Sequence, residues 1–409
     1  MTNLLWPGDH RAGRLLTDTA VLRAMVDVEI AWLQALRNGE LIPDQAADCD
    51  LQALIGDADL PVIAEAADGG ANPVIPLVAL LRQRAPEPTR HWLHRGLTSQ
   101  DVVDTALMAV LRDAVAQLRT ELVTQLTCLA ELAHTHRATP MTARTLAQPA
   151  IPTTFGVKAA VWLASVCDAA AALNLIRTPV QIGGAAGTMA AATELAALLQ
   201  GPTRAVDIVL TLADDTADTL GLDRQAPWHT SRAPITAIGD ALVGCTDAWG
   251  RIAADVVTLG RPEIGELAEA TEPGRGGSST MPDKNNPVLS VLLRRAALSA
   301  PPLAGTLHTA AAFNNDERAD GAWHAEWDAL RTLARRTLIA ASHATDLLTG
   351  LRIDSARMAT NLAAVDVSGE QQAIASLVDK PPTSEYLGVA DALIDRALHR
   401  AEQVVQELK

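Results

Sequence analysis

The 409 residues are enough for a large core and two or three subdomains. Hydrophobic residues make up 48%, which excludes disorder over most of the length, and a net charge of −15 without a basic block argues against nucleic acid as a partner. Aromatics are only 3% while alanine and leucine dominate, so closely packed helices are expected in place of sheets.

Residues 1–97 read as a small helical N-terminal domain, with an amphipathic helix over 21–36 and breaks at 68–73, Pro86 and Pro88. From Asp101 the character changes. Leu107, Leu111, Val115, Leu118, Leu122, Leu126 and Leu129 recur at helical steps for about six turns. Comparable segments run over 155–176, 231–259, 288–312 and 322–348, joined by short polar breaks without strand alternation. A bundle over 98–349 is the expected core. Residues 350–409 form a short helical tail interrupted at Pro381-Pro382. The wide apolar faces of the long helices predict a homo-oligomer.

Cys49, Cys128, Cys167 and Cys245 lack metal or redox spacing and read as buried free thiols. Met1 to Pro7 shows no basic stretch followed by an apolar core, and no run of about 18 apolar residues marks a membrane span. The expectation is a cytoplasmic protein with no membrane partner.

Four stretches carry polar residues where a bundle would place surface filler. His94-Arg95-Gly96-Leu97-Thr98-Ser99-Gln100-Asp101 precedes the long helix; its hydroxyls and amide suit a ligand, and Thr98 or Ser99 with an acid three residues on also suits plain capping. Met141 to Pro152 reads as an irregular segment in which Arg144, Thr145 and Gln148 offer an anion partner, a hydroxyl and an amide. Residues 273–287 hold three glycines, adjacent serines, Lys284 and Asn286-Pro287, which predict a loop ending in a helix start with Asn286 as N-cap, a receptor for a carboxylate. Asp316-Glu317-Arg318 leads into Trp323, His324 and Trp327, where Arg318 suits a carboxylate and the tryptophans suit packing; His229 and Arg232 have the same mixed reading as His324. No metal-ligand constellation appears, and the glycines of 183–187 lack the preceding strand of a nucleotide fingerprint, so close helix packing is their expected use.

The order Gly-Ser-Ser-x-Met-Pro-x-Lys-x-Asn from Gly277 to Asn286 resembles the signature loop of the fumarase/aspartase superfamily. Gly96 to Met108, Gln181 to Thr188, Pro227 to Thr230 and Gly321 to Trp327 are similar to blocks of its bacterial 3-carboxy-cis,cis-muconate cycloisomerase branch. The resemblance implies an all-α, three-domain fold whose central long-helix bundle builds a tetramer core. It also implies composite sites fed by three subunits and no cofactor. By motif, Ser278 matches the base of superfamily lyases. Ser279, Lys284, Asn286, Thr98, Ser99, Gln100, Thr145, Gln148 and Arg318 match substrate contacts. Leu146 stands where lyases usually carry histidine, and Asp283 and Asn285 replace the usual histidine and arginine of the loop.

The activity so implied is lactonisation of 3-carboxy-cis,cis-muconate in aromatic breakdown, by addition of a substrate carboxylate across a double bond with proton transfer through Ser278. A fumarate-releasing lyase acting on a substituted succinate is the alternative that Asp283 and Asn285 prompt. A catalytically silent scaffold is a third, opposed by the intact Ser278, Lys284 and Asn286. The two enzyme readings concern a small di- or tricarboxylate ligand.

Overall fold

The computed structural model describes residues 3–272, 274–278, 280–281 and 284–408. Helices carry most of the chain, as the composition predicts. The longest run over Asp18–Asn38, Ser99–Thr135, Phe155–Asn174, Ala233–Leu259, Val288–Ala312 and Ala322–Thr349. All seven members of the leucine/valine stripe are buried along the 37-residue helix Ser99–Thr135. Its start is fixed locally, because the Asp101 carboxylate accepts the Thr98 N–H at 2.9 Å, one half of a capping box.

Strand alternation is not wholly missing. Pro140–Thr145 and Gln148–Thr154 pair as an antiparallel hairpin, and Leu267–Ala268 pairs with Arg352–Ile353. The segment expected to be irregular is therefore a ribbon. Pro149 and Pro152 fit there because a two-stranded ribbon leaves half of its backbone donors unneeded.

Packing divides the chain into two units, each discontinuous in sequence. This partition does not bear on the linear segments 1–97, 98–349 and 350–409, which rest on sequence alone. The first unit comprises Met1–Ala116, Ile176–Asp240 and Pro302–Arg335. In it the helix Asp18–Asn38, capped by Thr17, packs on Pro202–Leu220. Trp32 is fully buried on that helix and donates Nε1–H to the Arg95 carbonyl at 2.6 Å, which fixes the approach to Thr98. A cavity of about 510 Å³ opens among Leu22, Met25, Leu60, Ile63 and Trp327, and none of the sequence-predicted site residues line it.

The second unit comprises Gln117–Leu175, Ala241–Pro301 and Arg336–Lys409. Buried Gln125 ties three helices together there. Its Oε1 accepts from Trp249 Nε1 at 2.7 Å and its Nε2 donates to the Ala341 carbonyl at 3.0 Å. Ala233–Leu259 and Val288–Ala312 come so close that a Cβ at Gly250 would lie 2.5 Å from that of Ala297. The tail is helical over Ser355–Ala363, Gly369–Leu377 and Ala390–Leu408, and Ile394 packs on Ala133, Ala159 and Ala160.

Phe155–Asn174 is long and apolar enough to cross a membrane, with a mean hydropathy of 1.4 over its most apolar stretch, although the sequence reading saw no such run. Trp162, Leu163, Val166 and Cys167 on it have no exposure, so it serves as a core helix of the second unit. The four cysteines are free thiols, and burial pushes Cys167 up to about 11 and Cys245 up to about 12. Cys167 and Cys245 are buried as expected, whereas Cys49 and Cys128 are only partly so.

Candidate active site

In the first unit, the start of the long helix gathers most of the predicted polar residues. Arg318 donates from Nη2 to the Thr98 hydroxyl at 2.6 Å and from Nε to Gln100 Oε1 at 3.2 Å. The amide of Gln100 is oriented from the other side, because Nε2 donates to the His229 carbonyl at 2.7 Å and to Asp104 at 3.2 Å. Thr98, Gln100, His229 and Arg318 thus form one connected array. Ser99 opens the helix beside it, half-buried. The capping reading of this block holds, since Asp101 takes the Thr98 backbone N–H, and within the chain the Thr98 hydroxyl is taken by Arg318.

Beneath the array, Arg232 is fully enclosed between two carboxylates. It donates to Asp104 at 2.8 and 3.0 Å and to Glu326 at 2.7 and 3.0 Å. Trp323 Nε1 completes Asp104 at 2.9 Å. Burial works against the Arg232 charge, yet Asp104 and Glu326 outweigh it and hold the guanidinium above its ordinary value. Burial also raises Glu326, and Arg232 opposes that rise. With every donor nitrogen engaged, Arg232 positions Asp104, and through it Gln100. His324 lies against the rings of Trp323 and Trp327, with centroids 5.1 and 4.8 Å away, which is a packing role.

The glycines of 183–187 do not serve close helix packing. They form a loop clamped on Asp101, whose carboxylate accepts from Gly183 N at 2.8 Å, Gly184 N at 3.0 Å and Gln181 Nε2 at 3.3 Å. Burial lifts Asp101 to about 6 despite these donors. At the far end of the loop, Gly187 has φ +77°, and a Cβ there would sit 2.1 Å from the His229 ring. Burial, seconded by Arg318, lowers the His229 pKa.

The second unit holds the glycine-rich loop and the hairpin. Ser278 Oγ accepts the Met281 N–H at 3.1 Å and that of Thr280 at 3.4 Å. Donors aimed at a hydroxyl oxygen favour its ionised form. Lys284 is exposed. Ser279 and Asp283 lie outside the described residues, so their predicted parts have no counterpart in the geometry. Asn286 does not cap the following helix. Its N–H and Nδ2 both bond the Gly276 carbonyl, at 2.8 and 3.1 Å, and so close the base of the loop.

The helix Val288–Ala312 already has its anion. Glu269, nearly buried, accepts from Leu289 N at 3.0 Å and from Ser290 N and Oγ at 2.8 and 2.7 Å. This corrects the expectation of a helix N-terminus open to a ligand carboxylate. Arg144 is likewise committed, bidentate to buried Glu266 at 3.0 and 2.7 Å. Thr145 and Gln148 pair across the tip of the hairpin, exposed on either side of Leu146 and Ala147, which both take positive φ. Two left-handed residues are what a tight two-residue hairpin turn requires.

The family model described as "Lyase" matches residues 62–300. The chain belongs to this lyase family, within the fumarase/aspartase superfamily. It is 42% identical over 395 residues to nitrosuccinate lyase of Streptomyces davaonensis, covering 94% of this chain and 81% of that protein. It is 36% identical over 394 residues to 3-carboxy-cis,cis-muconate cycloisomerase of Bradyrhizobium diazoefficiens, covering 94% and 83%. The solved 3-carboxy-cis,cis-muconate lactonizing enzyme of Pseudomonas putida superposes with a TM-score of 0.80 at 27% identity, covering 96% of this chain and 97% of that one. The chain is thus an enzyme of the lyase superfamily with the superfamily's helical fold.

In this lyase, sequence reasoning gave no role to Asp104, Glu326 and Gln181, and read Asp101 only as a cap. Asp104 sits one helical turn after Gln100, a spacing that places both on one face and was legible. Glu326 and Gln181 had no local signal, because their partners lie 94 and 80 residues away. Among the described residues no three His, Cys, Asp or Glu side chains gather as a metal ion requires.

Proposed function

We propose that this lyase releases fumarate from a 2-substituted succinate by β-elimination, with nitrosuccinate as the substrate to test first. The observation that carries the reading is the Ser278 oxygen with two backbone N–H groups directed at it. Such an oxygen is equipped to be the base once the surrounding charge favours its alkoxide. It removes the C3 proton, and the electron pair spreads into the adjacent carboxylate as an aci-carboxylate. The pair then forms the C2–C3 double bond as the C2–N bond breaks, so nitrite leaves with the bonding electrons. Fumarate, nitrite and a protonated Ser278 result. Donors directed at the aci-carboxylate are the main catalytic requirement, and Arg318, Thr98 and Lys284 are the residues of this chain suited to it.

The 42% identity to a nitrosuccinate lyase over most of both chains supports this choice of substituent. Incubation of the purified protein with nitrosuccinate, followed by a colorimetric nitrite assay and ultraviolet detection of fumarate, tests it. Absence of both products refutes it.

Lactonisation of 3-carboxy-cis,cis-muconate is the second reading, supported by the cycloisomerase relatives and by the lactonizing-enzyme fold. It needs the same carboxylate-stabilised intermediate and the same serine, and loss of diene absorbance would reveal it. Either reading includes a homotetramer with sites composed from several subunits. Val291 and Leu298 support an oligomer: seven residues apart on one helix face, they are 53% and 77% exposed. Light scattering that gives the mass of one chain would refute it.

A further inference from the structure

We propose that His229 is a substrate-contacting, specificity-determining residue whose ring takes an oxygen of the group that leaves. This rests on the elimination reading above. Both ring nitrogens of His229 are shielded from solvent, and neither has a hydrogen-bond partner among the described residues. A shielded donor or acceptor left without a partner is unfavourable, so a ring carrying one of each is strained in energy unless a ligand completes it.

The ring is also held in place. The His229 carbonyl accepts from Gln100 Nε2 at 2.7 Å and from Arg232 Nη1 at 3.3 Å, which pins the main chain. Next to it, Trp228 is fixed through its N–H to Gln181 Oε1 at 2.7 Å and its Nε1–H to the Val180 carbonyl at 2.9 Å. On the ring's other side stands Gly187, where a Cβ would lie 2.1 Å from Cε1 and 2.8 Å from Nε2. A residue with no side chain, in a backbone conformation that side chains rarely adopt, leaves the space the imidazole fills.

The chemistry of the ring narrows the ligand. Burial and the nearby Arg318 lower its pKa, so the imidazole is neutral at neutral pH and offers one N–H and one lone pair. A neutral N–H suits an oxygen that gains charge only as the bond breaks, such as that of a departing nitro group. It is less suited to a carboxylate, charged from the outset, for which Arg318 stands in the same array. Ser278 removes the proton in this scheme, and His229 stabilises the charge on the departing group without transferring a proton.

The test uses the full-length protein as it assembles, with His229→Leu and His229→Gln variants. Nitrite release is measured on nitrosuccinate, and fumarate affinity is measured as product inhibition or by calorimetry. Removing a donor directed at developing charge lowers kcat on the order of 100-fold, so His229→Leu should lose about that factor, mainly in kcat. His229→Gln, which keeps an amide donor, should recover part of it. Fumarate has no leaving group, and its affinity for both variants should stay within about twofold of wild type, with no ΔΔG of binding beyond thermal scale. A His229→Leu variant with wild-type kcat refutes the inference, as does one whose fumarate affinity falls in parallel with turnover. Wild-type protein that releases no nitrite removes the elimination reading and this inference with it; active wild type with an unaffected variant removes the inference alone.

Discussion

Replacing Arg232 by methionine tests the buried network under the candidate array of Thr98, Gln100, His229 and Arg318. The wild-type cluster sets one guanidinium against the carboxylates of Asp104 and Glu326, all three side chains being at most 1% exposed. Arg232→Met leaves two enclosed carboxylates without a cation. Breaking a buried ion pair by removing one partner costs about 3–5 kcal/mol. Urea unfolding at fixed protein concentration should show a loss of that size near pH 7.5.

The pH dependence gives a sharper check. Burial already raises Glu326 against the pull of Arg232, so removing Arg232 raises it further. A carboxyl whose pKa is higher folded than unfolded stabilises the fold at low pH, and that contribution is lost as pH rises through the folded value. The deficit of Arg232→Met should therefore be smaller at pH 5 than at pH 8. Turnover should fall too, because Asp104 helps orient the Gln100 amide. A variant within about 1 kcal/mol of wild type at pH 7.5, or a deficit that is flat with pH, would refute the argument.

Three other substitutions follow from the same geometry. Ser278→Ala should lower turnover by about a thousandfold or more while fumarate binding is retained, measured by steady-state kinetics and calorimetry; unchanged turnover would remove Ser278 as the base. Gly187→Ala should destabilise by roughly 1–3 kcal/mol through its φ of +77° and its contact with the His229 ring, seen as a lower thermal midpoint. Glu269→Gln should cost about 1–3 kcal/mol, since it weakens three charge-assisted bonds to the start of Val288–Ala312, and a variant as stable as wild type would show that the cap contributes little.

The long helices were legible because apolar residues at steps of three and four mark a buried face without knowledge of what covers it. The stripe from Leu107 to Leu129 is the clearest case, and every member is buried. The hairpin was not legible, because Pro149 and Pro152 argue against a strand and only an isolated ribbon tolerates them. Among candidate site residues, Thr98, Gln100 and Arg318 hydrogen-bond to one another within the chain. The helix start after Asn286 looked open to an anion because the sequence does not reveal that Glu269, seventeen residues earlier, folds back onto it. Arg144 and Arg232 looked available to a ligand for the same reason. Sequence displays a charge and conceals its partner.

The contact between Gly187 and His229 also constrains how this enzyme can change. The two positions are 42 residues apart in sequence, yet the imidazole occupies the space that any side chain at 187 would need. A lineage that gains a side chain at 187 while keeping the histidine meets a steric conflict, whereas one that first exchanges His229 for a smaller residue does not. Substitution at these two positions therefore has a preferred order, and under the elimination proposed above a change of leaving group should begin at 229.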